Sequence, residues 1–354
     1  MTSRRPRSAV GMGLLVLLPV LLTSCSATAD ELSSGGAERS RSAAQAFLDR
    51  YVEPDGRVVR RDQGGDTVSE GVSYALLLAQ VAEDPEAERR VWGWADGNLR
   101  RPDGLLSYLA DAQGEVVDVE AATDADLVVG WALSRSRQPE LRQDAEGVLD
   151  AVRQHTVVTR PPGPLLAAGP WATGEPATLN PSYWVLPALR AVGWDDLAAP
   201  VGPALDQLTS GGALPPDWAR QDGDRLAASP DPAGRFPQAR HGLDAQRVLV
   251  WLAADCDPAN RRRAAGYRPL LQDAPEATAR TLTGQVLDPA AHPLGLVAAA
   301  AAADADGDTA ARDDLLDRAA EQDQRTPTYY GAAWVALGRA LLQDDVLDPC
   351  EGSP

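Results

Sequence analysis

The 354-residue chain contains no lysine, so arginine supplies every basic side chain. That is a bias of composition and carries no function of its own. Lys and Arg together number 33 against 51 Asp and Glu, a net charge of −18, and the isoelectric point is about 4.6. Such a surface lacks the basic stripe that a phosphate backbone requires, which argues against nucleic acid as a partner. A neutral or cationic ligand remains compatible. Histidine is scarce, at three residues. There is no CxxC and no HExxH, so a zinc site of the His or Cys type has no ligand set; neither metal nor organic cofactor is expected. In "DADGD" (Asp304–Asp308) the glycine falls in the wrong place for a calcium loop and no closing Glu follows. It reads as an acidic turn between helices. Alternating strand patterns are also scarce, which disfavours a β architecture.

What is present begins with a leader. In "MTSRRPRSAVGMGLLVLLPVLLTSC", Arg4, Arg5 and Arg7 precede an apolar run too short to span a bilayer comfortably. Small residues follow, as in a secretory signal peptide over residues 1–24. Leu22-Thr23-Ser24-Cys25 resembles the bacterial lipobox. That resemblance implies cleavage before Cys25, lipid attachment there, and an extracytoplasmic protein that meets the membrane only through its anchor. Ordinary cleavage nearby would leave Cys25 incidental. Residues 25–40 read as a polar tether. Of three cysteines, Cys256 and Cys350 remain. Outside the cytoplasm they can pair, tying the C-terminal tail to a helix end, or stay as two thiols; the sequence leaves both open.

Helical spacing dominates the rest. Apolar residues at i, i+3 and i+4, cut by Gly, Pro and Asp clusters, predict twelve helices. They fall at 40–52, 67–83, 86–98, 124–136, 140–156, 180–192, 195–209, 242–255, 260–272, 290–303, 308–322 and 328–343. The even-numbered ones include the more apolar, such as "GVSYALLLAQVA" and "LGLVAAAAAA"; their neighbours carry a charged face. This alternation predicts an all-α fold, an (α/α)6 barrel of six inner and six outer helices, as one domain over 41–346 with a tail at 347–354. Long Gly- and Pro-rich connections at 99–123, 157–179 and 210–241 precede three inner helices, and long loops in compact domains often carry function.

Polar residues gather at inner-helix starts. Glu70 opens the second helix, Asp124 and Asp126 the fourth, Asn180, Ser182 and Tyr183 the sixth, Asp244 and Arg247 the eighth, and Tyr329 and Tyr330 the twelfth. Acids and Ser at helix starts are ordinary caps. If the inner helices run parallel, however, these groups meet at one end. Two carboxylates across a cleft suit glycoside hydrolysis: one protonated to donate to the leaving oxygen, one ionised to activate water or attack carbon. Nine Trp stand against two Phe. Trp171 and Trp218, in or beside long loops, are the better candidates for stacking on sugar; Trp92, Trp94, Trp131, Trp251 and Trp334 fall in helices and read as packing.

The segments "SEGVSYALLLA", "ATDADLVVGWAL", "LNPSYWVLPAL", "LPPDWA", "LDAQRV" and "YYGAAWVALG" resemble, in order, glycoside hydrolase family 8, which contains bacterial endoglucanases. The likeness covers about residues 42–342. It implies Glu70 as general acid, Asp244 as general base and Asp124 as the acid at the cleft centre. It implies Tyr183 and Arg247 as positioning the base and its water, and Tyr330 or Tyr329 as lining the same subsite. Asp126, Trp171 and Tyr108 complete the expected substrate-binding set. Leu243 stands where the family usually has an aromatic, Tyr108 where a Trp is common, and Val128-Val129-Gly130 where Ile-Ala is usual. Substrate identity is therefore less fixed than reaction type. The expected activity is an inverting endo-β-1,4-glucanase on cellulose-like or mixed-linkage glucan, acting as a monomer. The alternatives are the same machinery on xylan or chitosan, or a glycan-binding lipoprotein without turnover.

Overall fold

The computed structural model of the protein describes residues 1–2, 29–344, 346–347 and 350. Cys25 and nearly all of the expected leader lie outside the described residues. Thirteen α-helices follow in order: α1 (Ala29–Tyr51), α2 (Ser69–Val81), α3 (Pro85–Asn98), α4 (Thr123–Arg135), α5 (Pro139–Thr156), α6 (Leu186–Ala191), α7 (Asp195–Ala198), α8 (Val201–Leu208), α9 (Leu243–Ala253), α10 (Pro258–Tyr267), α11 (Pro293–Ala305), α12 (Thr309–Arg325) and α13 (Tyr329–Leu342). Helices α2, α4, α6, α9, α11 and α13 each touch the next, and α13 returns to α2, closing an inner ring. The others pack outside it. The fold is the expected (α/α)6 barrel.

Burial explains the two rings. In α2 and α11 almost every side chain is buried, as a helix apolar on all sides requires. In α5 only one stripe, including Leu141, Ala145, Val148 and Val152, is buried, and α12 buries only Leu316 and Ala319.

The structure departs from the sequence reading at four places. Helix α1 begins at Ala29, inside the expected tether. Its small residues permit this: a Cβ on Gly36 would stand 2.7 Å from the Gln343 carbonyl at the end of α13. The expected helix over 180–192 is a 3-10 turn (Pro181–Tyr183) followed by α6. Pro187 has no N–H to bond one turn back, so the chain breaks at Trp184 and Val185. Pro200 likewise divides 195–209 into α7 and α8. Finally, residues 277–291 form an antiparallel hairpin, Ala277–Arg280 with Val286–Ala291, which the helical reading missed.

Short strands also occupy the long connections. Thr67–Val68, Leu109–Ala110 and Val116–Asp118 form one sheet; Ala177–Leu179, Trp218–Asp222 and Arg225–Ser229 form another; Val157–Arg160 pairs with Gly163–Leu166. A disulfide joins Cys256, just beyond α9, to Cys350. "DADGD" is the turn between α11 and α12, its acids paired with Arg261, Arg268 and Arg312.

Candidate active site

Three acids occupy the second position of three inner helices: Glu70 in α2, Asp124 in α4 and Asp244 in α9. Helix N-termini favour negative charge and leave N–H groups unpaired. Here loops and side chains from elsewhere, rather than the three acids, satisfy the starts. The Ser69 N–H donates to the Tyr108 carbonyl at 2.9 Å, and the Thr123 N–H to Ala168 at 3.1 Å. The three carboxylates are thereby left to face one another.

Their common partner is Arg247, one turn into α9 and only 1% exposed. Its Nη1 donates to Glu70 Oε1 at 2.6 Å and to Asp124 Oδ2 at 2.8 Å. Its Nη2 donates to Ser182 Oγ at 2.6 Å and to Asp244 Oδ1 at 3.3 Å. Asn180 Nδ2 donates to the other Asp244 oxygen at 3.1 Å. The Tyr74 hydroxyl, on the same face of α2 as Glu70, donates to Glu70 Oε1 at 3.1 Å. Asp124 Oδ1 is buried with no hydrogen-bond partner among the described residues.

Arg60, Arg235 and Arg240 also line the cavity but pair with Asp66, Asp231 and Asp217. Among the described residues Arg247 alone is ion-paired with the three acids, and one charge cannot neutralise three. Burial is the main cause that pushes Glu70 up to about 7; Asp124 and Asp244 push the same way, while Arg247 opposes them. Burial also raises Asp124, again against Arg247. The arrangement therefore holds a proton on an acid near neutrality, and Glu70 is the acid placed to carry it.

The acids open into a cavity of about 320 Å³ bounded also by Tyr183 and Tyr330. Tyr108, Tyr183 and Trp218 line both this space and an adjoining one of about 410 Å³. Trp171, 44% exposed, stands in the outer part. The Tyr183 ring meets Trp218 edge-on at 6.3 Å. The result is a groove with carboxylates on the floor and aromatic rings along one arm, suited to a chain of neutral rings carrying hydroxyls.

Of the expected site residues, the structure brings Glu70, Asp124, Asp244, Arg247, Tyr183, Tyr330, Tyr108 and Trp171 to this groove. Two lie elsewhere. Tyr329 is 1% exposed and packs its ring against Phe47 and Tyr51 behind the groove. Asp126 is fully buried and accepts the Leu106 N–H at 2.8 Å, holding the 99–123 connection to α4. The helical period explains both: each is one or two positions from a groove residue and so points to another side. The sequence reading gave no role to Tyr74 or Asp217. Tyr74 is four residues from Glu70, a spacing that puts both on one face. Asp217 lines the cavity and is raised to about 6, by burial first and then by Asp244; its only signal was its place in "LPPDWA".

The model of glycosyl hydrolases family 8 matches residues 15–343, and the chain belongs to that family. An endoglucanase from Cellulomonas uda is 28% identical over 233 residues, 60% of this chain and 63% of the relative. A probable endoglucanase from Novacetimonas hansenii is 33% identical over 236 residues, 63% of this chain and 60% of the relative. The matches thus span less than two thirds of the length of either curated relative. The solved endo-beta-1,4-glucanase from Acetobacter xylinum superposes with a TM-score of 0.73 at 26% identity, over 86% of this chain and 99% of that one. A beta-1,3-1,4-glucanase from Paenibacillus sp.X4 shares the fold, with a TM-score of 0.76 at 15% identity over 88% and 92% of the two chains.

Proposed function

We propose that this protein is an inverting endo-β-1,4-glucanase that cuts internal bonds of cellulose-like or mixed-linkage β-glucan, with Glu70 as general acid and Asp244 as general base. The observation that carries the reading is the convergence of three carboxylates on one buried arginine at the floor of an aromatic-walled groove. Glu70 Oε1 accepts from Arg247 and Tyr74, which leaves Oε2 to carry the proton toward the glycosidic oxygen. Asp244, held on both oxygens by Arg247 and Asn180, takes the proton of the attacking water. Glu70 and Asp244 sit on different amino groups of the guanidinium; the inverting reading requires their carboxyl groups to stand roughly 6.5–9.5 Å apart, so that water fits between base and sugar. Asp124, which accepts from the same guanidinium nitrogen as Glu70, is the acid at the centre of the cleft.

The test is reducing-sugar release from carboxymethyl cellulose, barley-type β-glucan, xylan and chitosan. The wild type is expected to act on the first two with α-anomeric product by NMR, and Glu70→Gln to lower the rate by about 10²–10⁴. Glucan bound without turnover by the wild type would instead make it a binding protein.

For location, we propose lipid anchoring at Cys25. Helix α1 runs antiparallel to α13: Gly36 lies at the end of α13 and Phe47 at its start. Ala29 is therefore at the end of the barrel opposite the groove. Cys25 is within about 14 Å of chain from Ala29, so an anchor there turns the groove toward solvent. Mass spectrometry of the mature N-terminus checks the lipid.

A further inference from the structure

Helix α9 carries both Asp244 and Arg247, yet it starts on Gly242, which has no side chain to cap it. The cap comes from a distant segment. Asp217 Oδ1 accepts the N–H of Gly242 at 2.8 Å and of Ala245 at 3.0 Å. Its Oδ2 accepts Arg240 Nε at 3.0 Å. The backbone repeats the connection: the Asp217 N–H donates to the Arg240 carbonyl at 2.8 Å, and His241 Nδ1 donates to the Pro215 carbonyl at 2.9 Å. Gly242 is fitted to this arrangement, because an added Cβ would stand 2.5 Å from Asp217 Oδ2. Asp217 is 5% exposed.

We propose that Asp217 is a positioning residue for the reaction: delivered from the 210–241 connection, its carboxylate clamps the first turn of α9 and so fixes where Asp244 stands in the groove. The proposal rests on Asp244 being the base. An ordinary cap from the helix's own first residue would hold the helix end, but it would leave the 210–241 connection free of it. Here the connection that helps wall the groove and the helix that bears Asp244 are locked by one side chain. A displaced base costs rate steeply, since a misplacement of about 1 Å lowers turnover on the order of 10²-fold.

Four proteins test it on the glucan that the wild type hydrolyses best: Asp217→Ala, Asp217→Asn, Gly242→Ala and the Asp217→Ala/Gly242→Ala double variant. Asp217→Ala is expected to lower kcat about 10²-fold with KM within about threefold. Asp217→Asn keeps an acceptor for both N–H groups and is expected to recover most of the loss. Gly242→Ala pushes the carboxylate away, and at φ −111°, ψ −157° alanine is allowed; it should lose rate like Asp217→Ala. The double variant should be no slower than either single one, because both act on the same clamp. Amide exchange of Gly242 and Ala245, read on the same proteins, should quicken in Asp217→Ala while the core of α9 stays protected. Wild-type kcat in Asp217→Ala, or additive losses in the double variant, overturns the proposal. Unchanged exchange at Gly242 and Ala245 overturns it without reference to turnover. A wild type inactive on every glucan overturns the glucanase reading instead, and the exchange result still decides whether Asp217 holds α9.

Discussion

The two ends of the barrel use the same residue types to opposite effect. At the groove end, Glu70, Asp124 and Asp244 share Arg247. At the far end, Asp304 and Asp255 each have more than one donor. Asp304 pairs with both Arg261 at 3.1 Å and Arg312 at 3.0 Å. Asp255, 2% exposed, is bonded by Arg190, Asn260 and the Cys256 N–H. Pairing and hydrogen bonding offset much of the cost of burying a charge, whereas crowded like charge holds protons and destabilises. One end is arranged for cohesion. The other stores an electrostatic cost that a bound substrate and a moving proton can use.

The sharpest way to break this contrast is to remove its hub. Arg247→Ala leaves three acids without their cation, two of them largely buried, and should cost about 3–5 kcal/mol at pH 8 by chemical denaturation. Turnover should be lost. Because the acids can neutralise themselves by protonation, the stability gap to wild type should narrow at pH 5. A gap independent of pH would mean the arginine acts only through packing.

Glu70 gives the next largest effect, with a sign that separates chemistry from stability. Its value is raised from 4.5 to about 7. Between those values the folded state holds a proton that the unfolded chain releases, so stability falls as pH rises from about 4.5 to about 7. Glu70→Gln removes that dependence and leaves Arg247 with Asp124 and Asp244. The variant should be about 10²–10⁴-fold slower yet more stable than wild type above pH 7, by about 1–3 kcal/mol, with little advantage below pH 5. With Glu70 as the proposed general acid, which donates only when protonated, kcat should fall as pH rises through about 7. Equal stability curves for the two proteins would show that Glu70 carries no stored cost.

Much of this was legible in the sequence, and the illegible part has a physical pattern. The ring of helices followed from alternating burial, which residue periodicity records directly. Glu70, Asp124, Asp244 and Arg247 were visible because each sits near the start of an apolar helix. What periodicity does not record is which loop closes each helix start. Asp217 bonds residues 25 and 28 positions away, and no local pattern announces such a partner. Asp126 and Tyr329 lie beside groove residues in sequence but are buried beneath the groove's surface. The proline breaks at 187 and 200 fall inside runs of helical composition, and the hairpin at 277–291 falls almost wholly between two expected helices, without an alternating pattern to mark it.

The far end should tolerate losses that the groove end does not. The Cys256–Cys350 disulfide closes a long stretch of chain, at a sequence separation of 94, and Leu347 between its ends is fully buried. Cys350→Ser should cost about 2–4 kcal/mol, seen as a lower Tm, with kcat at 25 °C unchanged. Arg261→Ala should cost less, about 1 kcal/mol or below, because Arg312 still holds Asp304. The two residues thus form a graded control for Arg247. All three changes weaken the fold, but only the one at the groove should alter turnover and make the loss depend on pH. If Arg261→Ala lowered kcat as well, the two ends would be coupled through α9, which runs from Asp244 at the groove to the segment leading into Cys256, and the division of labour between them would fail.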